Sequence, residues 1–137
     1  MRILFYQLSI SLQLIIFLFS CEETPKQCPN IVFDGKLTTL NGKLYSGSCA
    51  TFYDSKQINS IQRYKSGKDH GEWTFYHKNG NLETKGTFDM GKRIGVWKYY
   101  HSNGVIHKVN TYNNSGKRIS RWLTYDTKGN LISKVQY

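Results

Sequence analysis

Gly47, Gly71 and Gly95 recur every 24 residues, and this register constrains the chain more than any other feature. Trp73 and Trp97 keep the same spacing, and Trp122 follows 25 residues later. Three further series hold their offsets: Phe52, Tyr76, Tyr100 and Tyr125; Ile58, Leu82, Ile106 and Leu131; Tyr64, Phe88, Tyr112 and Tyr137. One residue inserted near Asn113-Asn114 accounts for the longer step. Cys49 and Ser120 stand where other copies have Trp and Gly. So short a period means one small supersecondary unit per copy, stabilised by its neighbours in a tandem array.

Each unit reads as a hairpin. Gly71 to His77 is strand-like, and Leu82 to Asp89 is its return strand. Asn79-Gly80 reads as a two-residue turn with positive φ at both central positions, repeated at Asn103-Gly104, with Lys128-Gly129-Asn130 in the third copy. Met90 to Arg93 leads into the next unit. This turn pairs Trp73 with Gly86, Phe75 with Thr84 and His77 with Leu82, on one face with Phe88. It lays the Trp73 indole over its cross-strand glycine. The other face carries Glu72, Thr74, Tyr76, Glu83, Lys85 and Thr87, and the Trp97 face includes Lys108 and Asn110. Neither face is cleanly apolar. The expected fold is therefore all-β: tandem hairpin repeats of about 24 residues forming an elongated, twisted, antiparallel, largely single-layer sheet. An aromatic content of 15% argues against disorder.

The segments Asn41 to Gly47, Tyr64 to Tyr76 and Gly95 to Gly104 resemble the MORN-repeat variant family, over about Asn41 to Tyr137. Bacterial members are often lipoproteins and some carry an antitoxin label. Relatives with the longer repeat serve as membrane-associated scaffolds. The resemblance implies a binding or scaffold module, antitoxin- or immunity-like, rather than an enzyme.

Residues 1–20 read as an export signal: Arg2 supplies positive charge, and the apolar run Ile10 to Phe19 is too short for a comfortable membrane span. Leu18-Phe19-Ser20-Cys21 resembles the bacterial lipobox, although Phe19 is bulkier than its usual residue. The resemblance implies that Cys21 is acylated, with two or more chains giving a stable anchor. A plain signal peptide with an incidental cysteine is the alternative. Glu22-Glu23 resemble surface-export signals of some Gram-negative lipoproteins. The expected organisation is a signal peptide over 1–20, a tether and irregular segment over 21–36, and the repeat domain over 37–137. The expected location is the bacterial envelope, lipid-anchored at the outer membrane. Cys28 and Cys49 then remain as an even pair, which an exported compartment allows to form one bridge; two free thiols are the alternative. A bridge would pin Pro29 to Ser46, expected to be irregular, onto the first full repeat.

The net charge of +10 suits nucleic acid, anionic membrane or an acidic protein, and export argues against nucleic acid. Lys65, Lys68, Lys92, Arg93, Lys117 and Arg118 recur at unit junctions, where stacked hairpins would line them along one edge. Such charge solubilises and protects sheet edges. Read as a site, it suits acidic protein, glycan or lipid headgroups. His77 and His101 share a repeat position with Tyr53 and Asp126, which reads as a wet strand end rather than a metal site. The carboxylates are scattered, and no Gly-Lys pair or Ser stands in a phosphate-loop or nucleophile-elbow pattern. No catalytic set, cofactor or metal is expected. Tyr76, Tyr100 and Tyr125, with Lys98 and nearby basic turns, form the candidate partner face. Their rings are expected to point away from the tryptophans and to stack as a ladder, in a composition that protein interfaces favour. An envelope-anchored module with a protein partner is the first reading. A structural membrane-surface protein that holds anionic lipid or glycan through its basic turns is the second.

Overall fold

The computed structural model describes residues 25–137; the expected signal peptide and the lipidation position Cys21 lie outside the described residues. Three short strands, β1 (Ile31–Phe33), β2 (Thr38–Leu40) and β3 (Lys43–Leu44), make a small antiparallel sheet. The main sheet follows as a meander: β4 (Gly47–Phe52), β5 (Ile58–Lys65), β6 (Lys68–Asp69), β7 (Gly71–Tyr76), β8 (Leu82–Asp89), β9 (Lys92–Tyr100), β10 (Ile106–Tyr112), β11 (Arg118–Tyr125) and β12 (Leu131–Gln136). Its order, β12-β11-β10-β9-β8-β7-β5-β4, places chain neighbours side by side, with β6 on β5 just before β7. All these ladders are antiparallel and the sheet stays open, as the repeat predicts.

The N-terminal segment departs from expectation. Pro29 to Ser46 is not irregular, since it holds β1, β2 and β3. The boundary expected between 36 and 37 runs through a sheet, because Ile31 to Phe33 pair with Thr38 to Leu40. Asp34 makes the connection. Its Oδ1 accepts the Leu37 N–H at 2.7 Å and the Lys36 N–H at 2.8 Å, which holds its carboxyl below the usual range. Gly67 ties the two sheets together, donating to Tyr45 O at 2.8 Å and accepting from Thr38 N at 2.7 Å. A Cβ at Gly67 would lie 2.9 Å from Thr38 O, so this approach requires glycine. Beside β4, Gln27 forms a parallel bridge to Ala50, flanked by Pro25 and Pro29. Prolines at that position limit further edge pairing.

The turns also differ from expectation. Asn79 does not take positive φ; only Gly80 does, at 86°. The Gly80 N–H donates to His77 O and the His77 N–H to Asn81 O, both at 2.8 Å, so three residues form the loop. This is a type I turn followed by a left-handed glycine. The Asn79 side chain instead accepts the Asn81 N–H at 3.1 Å. Asn103-Gly104 repeats the arrangement. Two-residue turns with positive φ at both positions occur at the junctions, at Ser66-Gly67 and Met90-Gly91. In the third junction a three-residue loop between Asn113 and Lys117 replaces them, which accounts for the inserted residue. The expected pairs Trp73–Gly86 and Phe75–Thr84 are present, but Leu82 pairs with Tyr76 rather than His77. The longer loop shifts the register by one, and a bulge between Phe75 and Tyr76 shifts it back.

The core is one face of this sheet. Tyr64, Trp73, Phe88 and Trp97 meet in sequence, with ring centroids 5.3, 5.1 and 4.9 Å apart. Tyr112, Trp122 and Tyr137 continue at 5.4 and 4.9 Å. The tryptophan and Tyr/Phe series thus interleave, mostly edge to face, each contact adding about 0.5–1.5 kcal/mol beyond area burial. The indole over Gly86 is that of Trp97, not Trp73. A Cβ at Gly86 would lie 2.1 Å from the Trp97 ring.

Candidate functional site

Each repeat glycine sets up its tryptophan. Gly71 and Gly95 have φ of 78° and 65°, and Ser120 holds the same conformation at 62°. Two residues later the indole Nε1 donates to a carbonyl of the preceding strand: Trp73 to Arg63 at 2.8 Å, Trp97 to Thr87 at 3.2 Å and Trp122 to Thr111 at 3.3 Å. The buried N–H is thereby satisfied. Arg93 and Arg118 place their guanidiniums 4.6 Å from the Trp97 and Trp122 ring centroids.

At the opposite ends of the strands the units are clasped together. The Tyr53 hydroxyl donates to Tyr76 O at 2.6 Å. His77 Nε2 lies 2.9 Å from Tyr100 O, and His101 Nε2 lies 2.9 Å from Tyr125 O. A carbonyl only accepts, so both Nε2 atoms carry the proton. His107 Nδ1, 3.2 Å from His101 Nε2, is then the acceptor of that pair. The Asn79 and Asn103 amides donate onward to Ser102 O and Thr127 O. Asp126, the fourth residue of the series, instead turns inward. Asn130 heads the donors that hold its carboxyl below the usual range. The position expected to be a wet strand end is thus an inter-repeat fastening. The aromatic or imidazole ring shared by Tyr53, His77 and His101 was its signal in the sequence.

Tyr76, Tyr100 and Tyr125 are half-buried, one at the end of each of β7, β9 and β11, and alternation places them on the face opposite the indoles. They do not stack as a ladder. β8 and β10 intervene, so the tyrosines stand two strands, roughly 9.5 Å, apart. Rings in contact lie about 4.5–7 Å apart. Lys98 is exposed and pairs with Lys85 and Val109. Lys85 in turn lies 3.0 Å from Glu72. The junction cations do share one edge: Lys65 pairs with Lys68, Lys92 adjoins Asp89, and a Cβ at Gly116 would lie 3.2 Å from Lys92. Arg93 and Arg118 are partly committed to the tryptophans. Cys28 and Cys49 are joined, with their Cα atoms 4.6 Å apart. Among the described residues no three His, Cys, Asp or Glu side chains converge as a metal site.

The family model of the MORN repeat variant matches residues 69–90 and 93–114. Residues 69–114 thus carry two MORN-variant repeats. The first matched MORN segment spans β7 and β8 and the second spans β9 and β10. The flanking hairpins keep the same offsets outside the matches. MORN repeats generally serve as binding or scaffold modules and are generally non-catalytic. Neither the curated proteins nor the solved structures contain a match to the chain.

Proposed function

We propose that this MORN-variant protein is a non-catalytic binding module, held at the bacterial envelope by acyl chains on Cys21 and engaging a protein partner in an immunity- or antitoxin-like role. The observation that carries the reading is the clasped, open sheet. Ring-to-carbonyl bonds fix each hairpin to the next, while the face bearing Tyr76, Tyr100, Tyr125 and Lys98 remains accessible. A preorganised surface lowers the entropic cost of association.

Crosslinking in cells with mass spectrometry of the captured proteins tests the partner. A Tyr76→Ser, Tyr100→Ser chain with an unchanged melting curve should lose that capture, and wild-type capture would exclude the face. Salt-sensitive binding of a Cys21→Ser chain to anionic vesicles, with no protein captured, would replace this reading with the membrane-surface one. Intact mass of the membrane-fraction protein should show an acylated N-terminal Cys21. Non-reducing peptide mapping should recover Cys28 linked to Cys49, a closure that typically adds about 2–4 kcal/mol.

A further inference from the structure

The residue four before each repeat tryptophan is Asp69, Arg93 and Arg118 in turn. In the later two units it supplies a guanidinium 4.6 Å from the indole centroid, and Arg118 also reaches Tyr137 at 5.3 Å. The repeat geometry thus delivers a cation to the negative face of the ring. At Trp73 the same register carries a carboxylate.

The space beside that carboxylate is a cavity of about 280 Å³. Tyr64 and Trp73 form its aromatic wall, with centroids 5.3 Å apart. Phe33 and Thr38, from the small N-terminal sheet, and Gln62 also line it. Asp69 lies opposite Tyr64 in the ladder. Among the described residues Asp69 has no ion-pair partner; Lys36 and Lys68 line an adjoining cavity that shares it, and both are exposed. Burial raises the Asp69 carboxyl above its usual range and, together with the Asp69 charge and Tyr45, pushes the Tyr64 phenol up to about 12. A partly buried carboxylate favours a cation beside it. The cavity suits one side chain rather than a drug-sized molecule.

We propose that the cavity between Trp73, Tyr64 and Asp69 binds a guanidinium group supplied from outside the chain, in the role that Arg93 and Arg118 fill for the later tryptophans. The planar group would lie against the indole and donate to the Asp69 carboxylate, a pairing that suits arginine better than lysine. The site is separate from the tyrosine face, so it stands or falls independently of that surface.

The test uses the full-length protein in detergent, following the Trp73 indole N–H by NMR. The probes are a capped arginine, a short peptide with a central arginine, and the same peptide with neutral citrulline, which has the same shape. Saturable shifts at Trp73 with both arginine probes are expected, at least about tenfold weaker for citrulline and for Asp69→Asn, matching the roughly 1–2 kcal/mol of a cation–π contact or charged hydrogen bond. Equal affinity for the two arginine probes assigns the site to a free guanidinium compound, whereas tighter peptide binding assigns it to a partner's side chain. Asp69→Arg should fill the cavity from within and abolish binding; if that chain does not fold, Asp69→Asn decides. No shift at Trp73, equal binding of citrulline, or unchanged affinity in Asp69→Asn would each overturn the proposal.

Discussion

The indoles of Trp97 and Trp122 occupy the same repeat position in two different surroundings. Trp97, in the middle of the sheet, is 1% exposed because its ring lies on Gly86 of the preceding strand. At the equivalent place before Trp122 stands Asn110, and Trp122 is only half-buried. The β12 strand beside it is exposed along its whole length. Arg118 compensates in part by lying over both Trp122 and Tyr137. Burial of the repeat's signature residue therefore differs with what the neighbouring strands place against it: Gly86 beneath Trp97, and an exposed β12 beside Trp122.

The largest effect should separate the two regions directly. Trp97→Ala should cost about 3–5 kcal/mol and Trp122→Ala roughly half of that, read as chemical-denaturation midpoints. Equal losses would break the comparison. Gly86→Ala should cost about 1–3 kcal/mol through overpacking, with a fluorescence change as the Trp97 ring is displaced. Unchanged stability and emission would show that the ring yields freely. Ser120→Gly should act in the opposite sense and gain roughly 1 kcal/mol, because Ser120 is held at φ 62° where Gly71 and Gly95 occupy the equivalent positions. A lower melting temperature in this variant would place the Ser120 hydroxyl above backbone strain.

The smallest effect concerns the first unit. Tyr64 is pushed up to about 12 from 10, chiefly by burial. Its neutral form is the one favoured by folding, so its contribution is fully present below pH 10 and is lost as pH rises through about 12. Burial also raises the Tyr99 phenol, so ultraviolet titration should show late-ionising phenols, of which the phase near 12 disappears in Tyr64→Phe. An unchanged late phase in that variant would assign it to another tyrosine.

The repeat period, the strand content and the Trp73–Gly86 pair were legible because aromatic side chains must recur on one face at a fixed spacing. The turn type was not. Ser66 and Met90 adopt positive φ without the usual composition, whereas Asn79 spends its side chain on hydrogen bonds. Two errors of one residue, in the loop and at the bulge, cancelled before reaching Trp73. The small sheet was missed because strands of two or three residues carry almost no alternation signal, and pairing with Gly67 rather than their own pattern holds them in place. Of the candidate face, the opposite-side placement followed from alternation. The ladder failed because equivalent residues sit on every second strand. Asp69 drew no notice, since only the overlay of three units shows that it replaces an arginine.

The fastenings at Tyr53, His77 and His101 all end on main-chain oxygens, which every amino acid supplies. A mutation at Tyr76, Tyr100 or Tyr125 therefore leaves the acceptor of its neighbour's bond in place. Mutational drift on that surface is uncoupled from assembly of the array, so its chemistry can diversify from copy to copy while the joinery is inherited unchanged.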